Sequence, residues 1–166
     1  MQHPGPGAVL PGHRVDGATL GSVTKPCAFC AVVAGDTPAD VVHAGERTLA
    51  FLDTSPIFPG HVLLVPRTHV RTLADLPAAE VGTFFSLAQR LERAVESAME
   101  CPGSLVLINN VISQSVPHLH LHVVPRRPKD GLRFFLGPRR PYDGPDHAAE
   151  VARRIADTLG EVHPAD

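Results

Sequence analysis

Between Ser115 and Arg126 the chain reads SVPHLHLHVVPR, in which His118, His120 and His122 alternate with Leu119, Leu121 and Val123. A period of two is the mark of a β-strand. It sets the three imidazoles on one face, each about 6.6–6.8 Å from the last, and turns the aliphatic side chains toward a core. Pro117 and Pro125 bracket the run, as suits strand ends, because proline donates no ladder hydrogen bond. A helix would scatter the same histidines around its axis. Three readings of the imidazole face stand at this point. It is a solvent-washed polar face, a metal site built from His-x-His, or a neutral imidazole used as nucleophile or proton carrier.

The rest of the chain narrows these. Its 166 residues, 43% hydrophobic and 19% charged, suit one soluble domain with a proper core. A net charge of −2 gives no global attraction to nucleic acid polymers or anionic membranes. No stretch has the length and apolarity of a membrane span, and MQHPGPGAVLPGH lacks the pattern of a signal peptide. The cytoplasm is the expected compartment. Three cysteines are too few for a disulfide framework. Cys27 and Cys30 form C-A-F-C, which in a reducing compartment means a redox couple or half of a zinc site. Cys101 stands alone.

In chain order, residues 1–26 are rich in proline and glycine and read as a flexible extension, with the domain at 27–166. VVHAGERTLAFLD holds two apolar runs around Ala44-Gly45-Glu46-Arg47, the pattern of a hairpin. The proline-rich loop TSPIFPGH leads into the apolar strand HVLLVP, beyond which lies His69. From Asp75 to Glu100, Val81, Phe84, Phe85, Ala88, Leu91, Val95 and Ala98 recur at helical spacing. Asp75 or a neighbour is read as its cap and Pro77 as first-turn proline. SLVLIN is a further strand, and Asn109-Asn110 opens a loop running through Gln114 and Ser115 into the histidines. Arg127, Lys129, Arg133, Arg139 and Arg140 make a basic flank, read either as a phosphate rim or as a solvated surface. A short helix from Asp146 to Leu159, of alternating charge, is expected to dock on the surface.

The triad with two apolar residues after it resembles the motif of the histidine triad (HIT) family. CAFC with VVAGDTPADVV, AFLDTSPIFPGHVLLVPRTH, and Gln114-Ser115 before the triad look like its zinc-containing bacterial branch. The resemblance covers roughly residues 27–128. It implies an α+β fold with a half-barrel antiparallel sheet, one long packing helix and a short C-terminal helix. It further implies a homodimer that binds a nucleotide and cleaves or transfers it at the α-phosphate. In that scheme His120 is the nucleophile, with Nδ1–H held by a backbone carbonyl. His122 and His61 hydrogen-bond phosphate oxygens, and Ser115 contacts the phosphate or leaving group. Asp53 accepts from the ribose, Asn109 is a polar contact at the α-phosphate, and Gln114 completes the substrate side. The family's N-x-G-x-x-A-G-Q-x-V segment is here the shorter NNVISQSVPH, so that Asn110 competes with Asn109 for the contact.

The resemblance and the spacing together assign zinc to Cys27, Cys30, His69 and His118, two thiolates and two imidazoles forming a closed structural set. The redox reading of CAFC finds no βαβ context. Two other classes remain: a metal-dependent hydrolase with the histidines as ligands of a catalytic ion, and a nucleotide-binding module without chemistry.

Overall fold

The computed structural model describes residues 27–132 and 140–161. Among the described residues five antiparallel strands are built as the apolar runs foretell: β1 Val41–Ala44, β2 Thr48–Leu52, β3 Val62–Pro66, β4 Gly103–Ile108 and β5 Leu121–Arg126. They form one open sheet in the order β1-β2-β3-β5-β4. The chain is α+β, with helices α1 Ala28–Ala34, α2 Ala78–Ala98 and α3 Pro145–Glu161.

Both faces of the sheet are covered, which is why HVLLVP is continuously apolar instead of alternating. On one face Phe84, Leu87, Leu91 and Val95 of α2 pack on Ala50, Leu64, Leu121 and Val123. On the other, Phe29, Val32 and Val33 of α1 pack on Leu49, Phe51, Leu63 and Val65. Cross-strand partners share a face. Phe51 pairs with Leu63 and Leu63 with His122, so His122 lies on the α1 side.

The structure departs from the sequence expectations at four places. The paired strand begins only at Leu121, because its last partner on β4 is Ile108, where β4 gives way to a loop. His118 and His120 stand in the approach, fastened by the Leu119 N–H to the Val70 carbonyl at 2.7 Å. Secondly, α2 starts at Ala78 behind Pro77, and Asp75 instead caps a separate 3-10 turn, Leu73–Asp75, through Thr72. Leu76 is extended before the proline, as proline demands of its predecessor. Thirdly, α1 was not foreseen. Finally, α3 leaves Ile155 and Leu159 63% and 70% exposed instead of docked.

Within the basic flank, Arg127 donates to the Met99 and Glu100 carbonyls at the end of α2. Arg133, Arg139 and the extension 1–26 lie outside the described residues. Among the described residues no helix is long and apolar enough to cross a membrane.

Candidate active site

Asp53 and His61 are the feet of one loop. The Asp53 N–H donates to the His61 carbonyl at 2.9 Å, and Asp53 Oδ1 accepts the Ser55 N–H at 2.8 Å. Gly60, at φ +91°, makes the return, and a Cβ there would meet Met99 Cγ at 2.6 Å. This closure delivers His61 to the mouth of β3 beside the histidine arm.

His120 is buried, and its Nδ1–H donates to the His118 carbonyl at 2.6 Å. That bond assigns the tautomer and leaves the lone pair on Nε2. His61 and His122 form a second relay. The backbone N–H of Ile57 points at His61 Nδ1 (3.3 Å) and can only donate, so His61 carries its proton on Nε2 and gives it to His122 Nδ1 at 2.9 Å. His122 is then left with an N–H at Nε2, the one buried side-chain nitrogen or oxygen without a partner among the described residues. Burial pushes His122 down to about 4, helped by His120 and His61. Burial also lowers His61, against the pull of Asp53, whose Oδ2 lies 3.5 Å from its Nδ1.

His120, His122 and Asp53 border a cleft of about 480 Å³. Its polar end holds Asp53, Ser55, Ser115, His120 and His122, and its apolar end Phe29, Val32, Phe51 and Leu63. An apolar slot ending in a carboxylate and N–H donors suits a flat heterocycle joined to a hydroxylated, anionic portion.

Of the residues singled out in the sequence, Asp53, Ser115, His120 and His122 line the cleft, and His61 supports it through His122. Gln114 spends its Nε2 on the carbonyls of Arg71, at 2.7 Å, and His118, at 3.5 Å. Asn109 is not among the lining residues, and Asn110 Oδ1 accepts the Leu73 N–H at 2.9 Å. Sequence reasoning missed Phe29 and Val32. Their i, i+3 spacing in AFCAVVA was the available signal.

Behind the cleft Cys27, Cys30, His69 and His118 bring their ligand atoms within 4.8 Å of one another. His118 Nε2 donates to the Pro66 carbonyl at 2.9 Å, which turns the Nδ1 lone pair toward the sulfurs. Cys27 Sγ and Cys30 Sγ stand 3.5 and 3.6 Å from that Nδ1, and Cys30 Sγ stands 3.3 Å from His69 Nδ1. With Zn–S near 2.3 Å and Zn–N near 2.0–2.1 Å, a tetrahedral ion sets its S···N edges at about 3.6 Å. The donor set and its spacing therefore fit zinc. Burial and the neighbouring Cys27 push the Cys30 thiol up, and a dication would reverse that.

The model of the HIT domain family matches residues 34–129. A protein of Bacillus subtilis named Protein hit is 33% identical over 78% of this chain and 94% of its own length. The crystal structure of a zinc-bound histidine triad family protein from Mycobacterium smegmatis superimposes with a TM-score of 0.62 at 35% identity, covering 82% of this chain and 98% of that one. Some relatives carry an activity in their names, among them two that follow. The adenylylsulfatase HINT3 of Arabidopsis thaliana is 30% identical over 72% of this chain and 60% of its own. The adenosine 5'-monophosphoramidase HNT1 of Saccharomyces cerevisiae is 33% identical over 64% of this chain and 66% of its own.

Proposed function

Because the chain belongs to the histidine triad (HIT) family, we propose that it is a nucleotide hydrolase or nucleotidyltransferase working at an α-phosphate through a nucleotidyl–His120 intermediate. The observation that carries this reading is the pair of opposite tautomers. His120 keeps a lone pair on Nε2, and His122 keeps a hydrogen on its own unpartnered Nε2. One nitrogen is a nucleophile and its neighbour is a donor for the phosphate oxygen that gains charge.

In the first step His120 Nε2 forms a bond to the α-phosphorus as the bond to the leaving group breaks, with Ser115 touching the departing atom; a phosphate or sulfate leaves with its electron pair as the anion, and an amine takes up a proton from solvent as it departs. His122 Nε2–H donates to a non-bridging oxygen, and the His61 relay holds His122 in that tautomer. In the second step water, or another acceptor, attacks phosphorus, its proton is lost to solvent, and His120 is released. Asp53 takes the ribose hydroxyls, and the apolar slot takes the base. Asn109, and Gln114 through its free Oε1, are assigned the polar contacts around the phosphate.

Dinucleoside polyphosphates, nucleoside phosphoramidates and nucleotide-linked metabolites all supply such an α-phosphate. Two of the relatives named for their activity, on adenylylsulfate and on adenosine monophosphoramidate, differ in leaving group and share the adenylyl half. Cys27, Cys30, His69 and His118 are assigned a structural zinc. The chain is assigned to the cytoplasm as a homodimer.

The metal-hydrolase alternative has one observation behind it: Asp53, His61 and His122 also gather within 4.8 Å. Against it, His61 Nε2 and His122 Nδ1 are already hydrogen-bonded to each other. The deciding experiment is mass spectrometry of protein quenched during turnover of diadenosine tetraphosphate, adenosine phosphoramidate or adenylylsulfate. An adenylyl adduct on His120 is expected. Robust turnover with no adduct, abolished by chelator and restored by metal, would overturn the reading. Binding of AMP with no turnover of any of the three would indicate a binding module.

A further inference from the structure

Helix α1 is short, and its attachments to the domain are few. At 7 residues it has no stability of its own in water, and none of its residues is fully buried. What holds it is the sulfur pair at its start, the packing of Phe29, Val32 and Val33 on the sheet, and a 3.4 Å hydrogen bond from Arg67 to the Val33 carbonyl. Cys27 is its N-cap and Cys30 lies in its first turn. Phe29 therefore sits between the two thiolate ligands, on the same turn, with its ring turned inward.

That ring touches three things that matter. It stands edge-on to His120 with centroids 5.1 Å apart at 78°, edge-on to His118 at 6.1 Å, and edge-on to Phe51 at 5.5 Å. It also walls the apolar end of the cleft together with Val32. A single side chain thus connects the candidate zinc site, the candidate nucleophile and the surface on which a base would lie.

We infer that Phe29 is a positioning residue through which metal occupancy of the Cys27–Cys30–His69–His118 site sets the affinity of the cleft for a nucleoside monophosphate. With the metal bound, both ends of the first turn of α1 are pinned to His118 and His69, and the Phe29 ring is held against His120. Without it, the four ligands no longer share a partner, α1 is held only by its apolar contacts and the one Arg67 hydrogen bond, and the wall it carries loses its fixed place. Linkage makes the relation reciprocal: if zinc tightens nucleotide binding by some factor, the nucleotide tightens zinc binding by the same factor. This inference rests on the nucleotide reading of the cleft.

The test is a thermodynamic cycle on the full chain. AMP affinity is measured by calorimetry with and without zinc, and zinc affinity by competition with a chromogenic chelator with and without saturating AMP. The wild type should show the same factor, about 5-fold or more, in both directions. In Phe29→Ala both factors should fall to within about 2-fold of unity, a cut set by the usual lower range of such couplings. In Phe29→Leu, which keeps an apolar side chain in place, they should be intermediate. Each variant should still bind one zinc. Equal AMP affinity with and without zinc in the wild type overturns the inference and leaves the nucleotide reading standing. A coupling that persists at full size in Phe29→Ala also overturns it, and assigns the effect to folding of the whole domain. Failure of wild-type protein, in either metal state, to bind any of AMP, GMP, CMP or UMP overturns the nucleotide reading, and the inference with it.

Discussion

His61 Nε2 lies 2.9 Å from His122 Nδ1, and the proton between them belongs to His61 because the Ile57 N–H already occupies the other side of that ring. A backbone amide thus sets the protonation pattern of His122, which lies sixty-one positions beyond the His61 ring that the amide orders. The arrangement requires both rings to be neutral, since a second proton on either ring would set N–H against N–H.

Stability should reflect this. The folded protein holds His122 near 4, down from the ordinary 6.5, and holds His61 down in the same direction. Between those values the unfolded chain binds more protons than the native one, so stability is full above about 6.5 and is lost as the pH falls toward 4. Each such proton contributes a slope of at most about 1.4 kcal/mol per pH unit. Urea unfolding from pH 7 to pH 4 should show the slope, and His122→Asn should flatten it. An unchanged slope in that variant would place the titrating groups elsewhere.

His120→Ala should stop turnover while sparing nucleotide affinity. A nucleophile acts on the transition state, so kcat should drop by about 10⁴-fold or more. The Kd for AMP should move only a few-fold. Single-turnover kinetics alongside calorimetry measure both. Residual activity above a percent of wild type would remove His120 from the chemistry.

The two buried or half-buried cysteine environments should respond differently to serine. Cys30→Ser removes a thiolate whose metal would contribute on the order of 10 kcal/mol of apparent binding free energy, and it should lose metal and melt early. Cys101 lies away from the cluster and donates to the Gly103 carbonyl at 3.3 Å, which a serine hydroxyl can also do. Cys101→Ser should retain one zinc per chain and most of its stability. Metal analysis with thermal unfolding separates the two, and equal losses would refute the ligand set.

Gly60→Ala should disturb the site without touching the cleft. It forces a side chain into a φ of +91° and into Met99. A cost of roughly 1–3 kcal/mol is expected from the backbone alone. The His61–His122 contact should loosen as well, visible as shifted imidazole proton resonances. Resonances identical to wild type would mean the loop does not govern His61.

How far the sequence was legible depended on whether the signal was periodic. The alternation at 118–124 and the apolar runs at 48–52 and 62–66 gave the sheet, because burial on a pleated surface leaves a period of two or an unbroken run. The α2 stripe was equally plain. Its start was misread because a proline two residues on from Asp75 both ends one turn and begins the next helix. Helix α1 carries too weak a signal, because seven residues show barely two turns of period and Cys30 interrupts its apolar run. The roles of Asn109 and Gln114 were open to resemblance only, since a loop without periodicity does not reveal where its side chains point. The opposite tautomers of His120 and His122 were half legible: a carbonyl partner for His120 was expected, but the Ile57 amide that orders the other pair is a backbone group with no residue code.

The separation of the four sulfur and nitrogen ligands has a consequence for how the chain reaches its native state. Cys27 and His118 are ninety-one positions apart, and His118 is held to the Pro66 carbonyl, in a strand that must pair before that carbonyl is in place. Closing a loop of that length costs entropy that two soft ligands at one end cannot recover. A complete tetrahedral set would therefore assemble only after β3 and the histidine arm have met, so an ion held there would enter as the last fastening and not as a template. Refolding rates should depend little on added zinc, whereas unfolding should slow sharply once it is bound, as for any contact absent from the transition state.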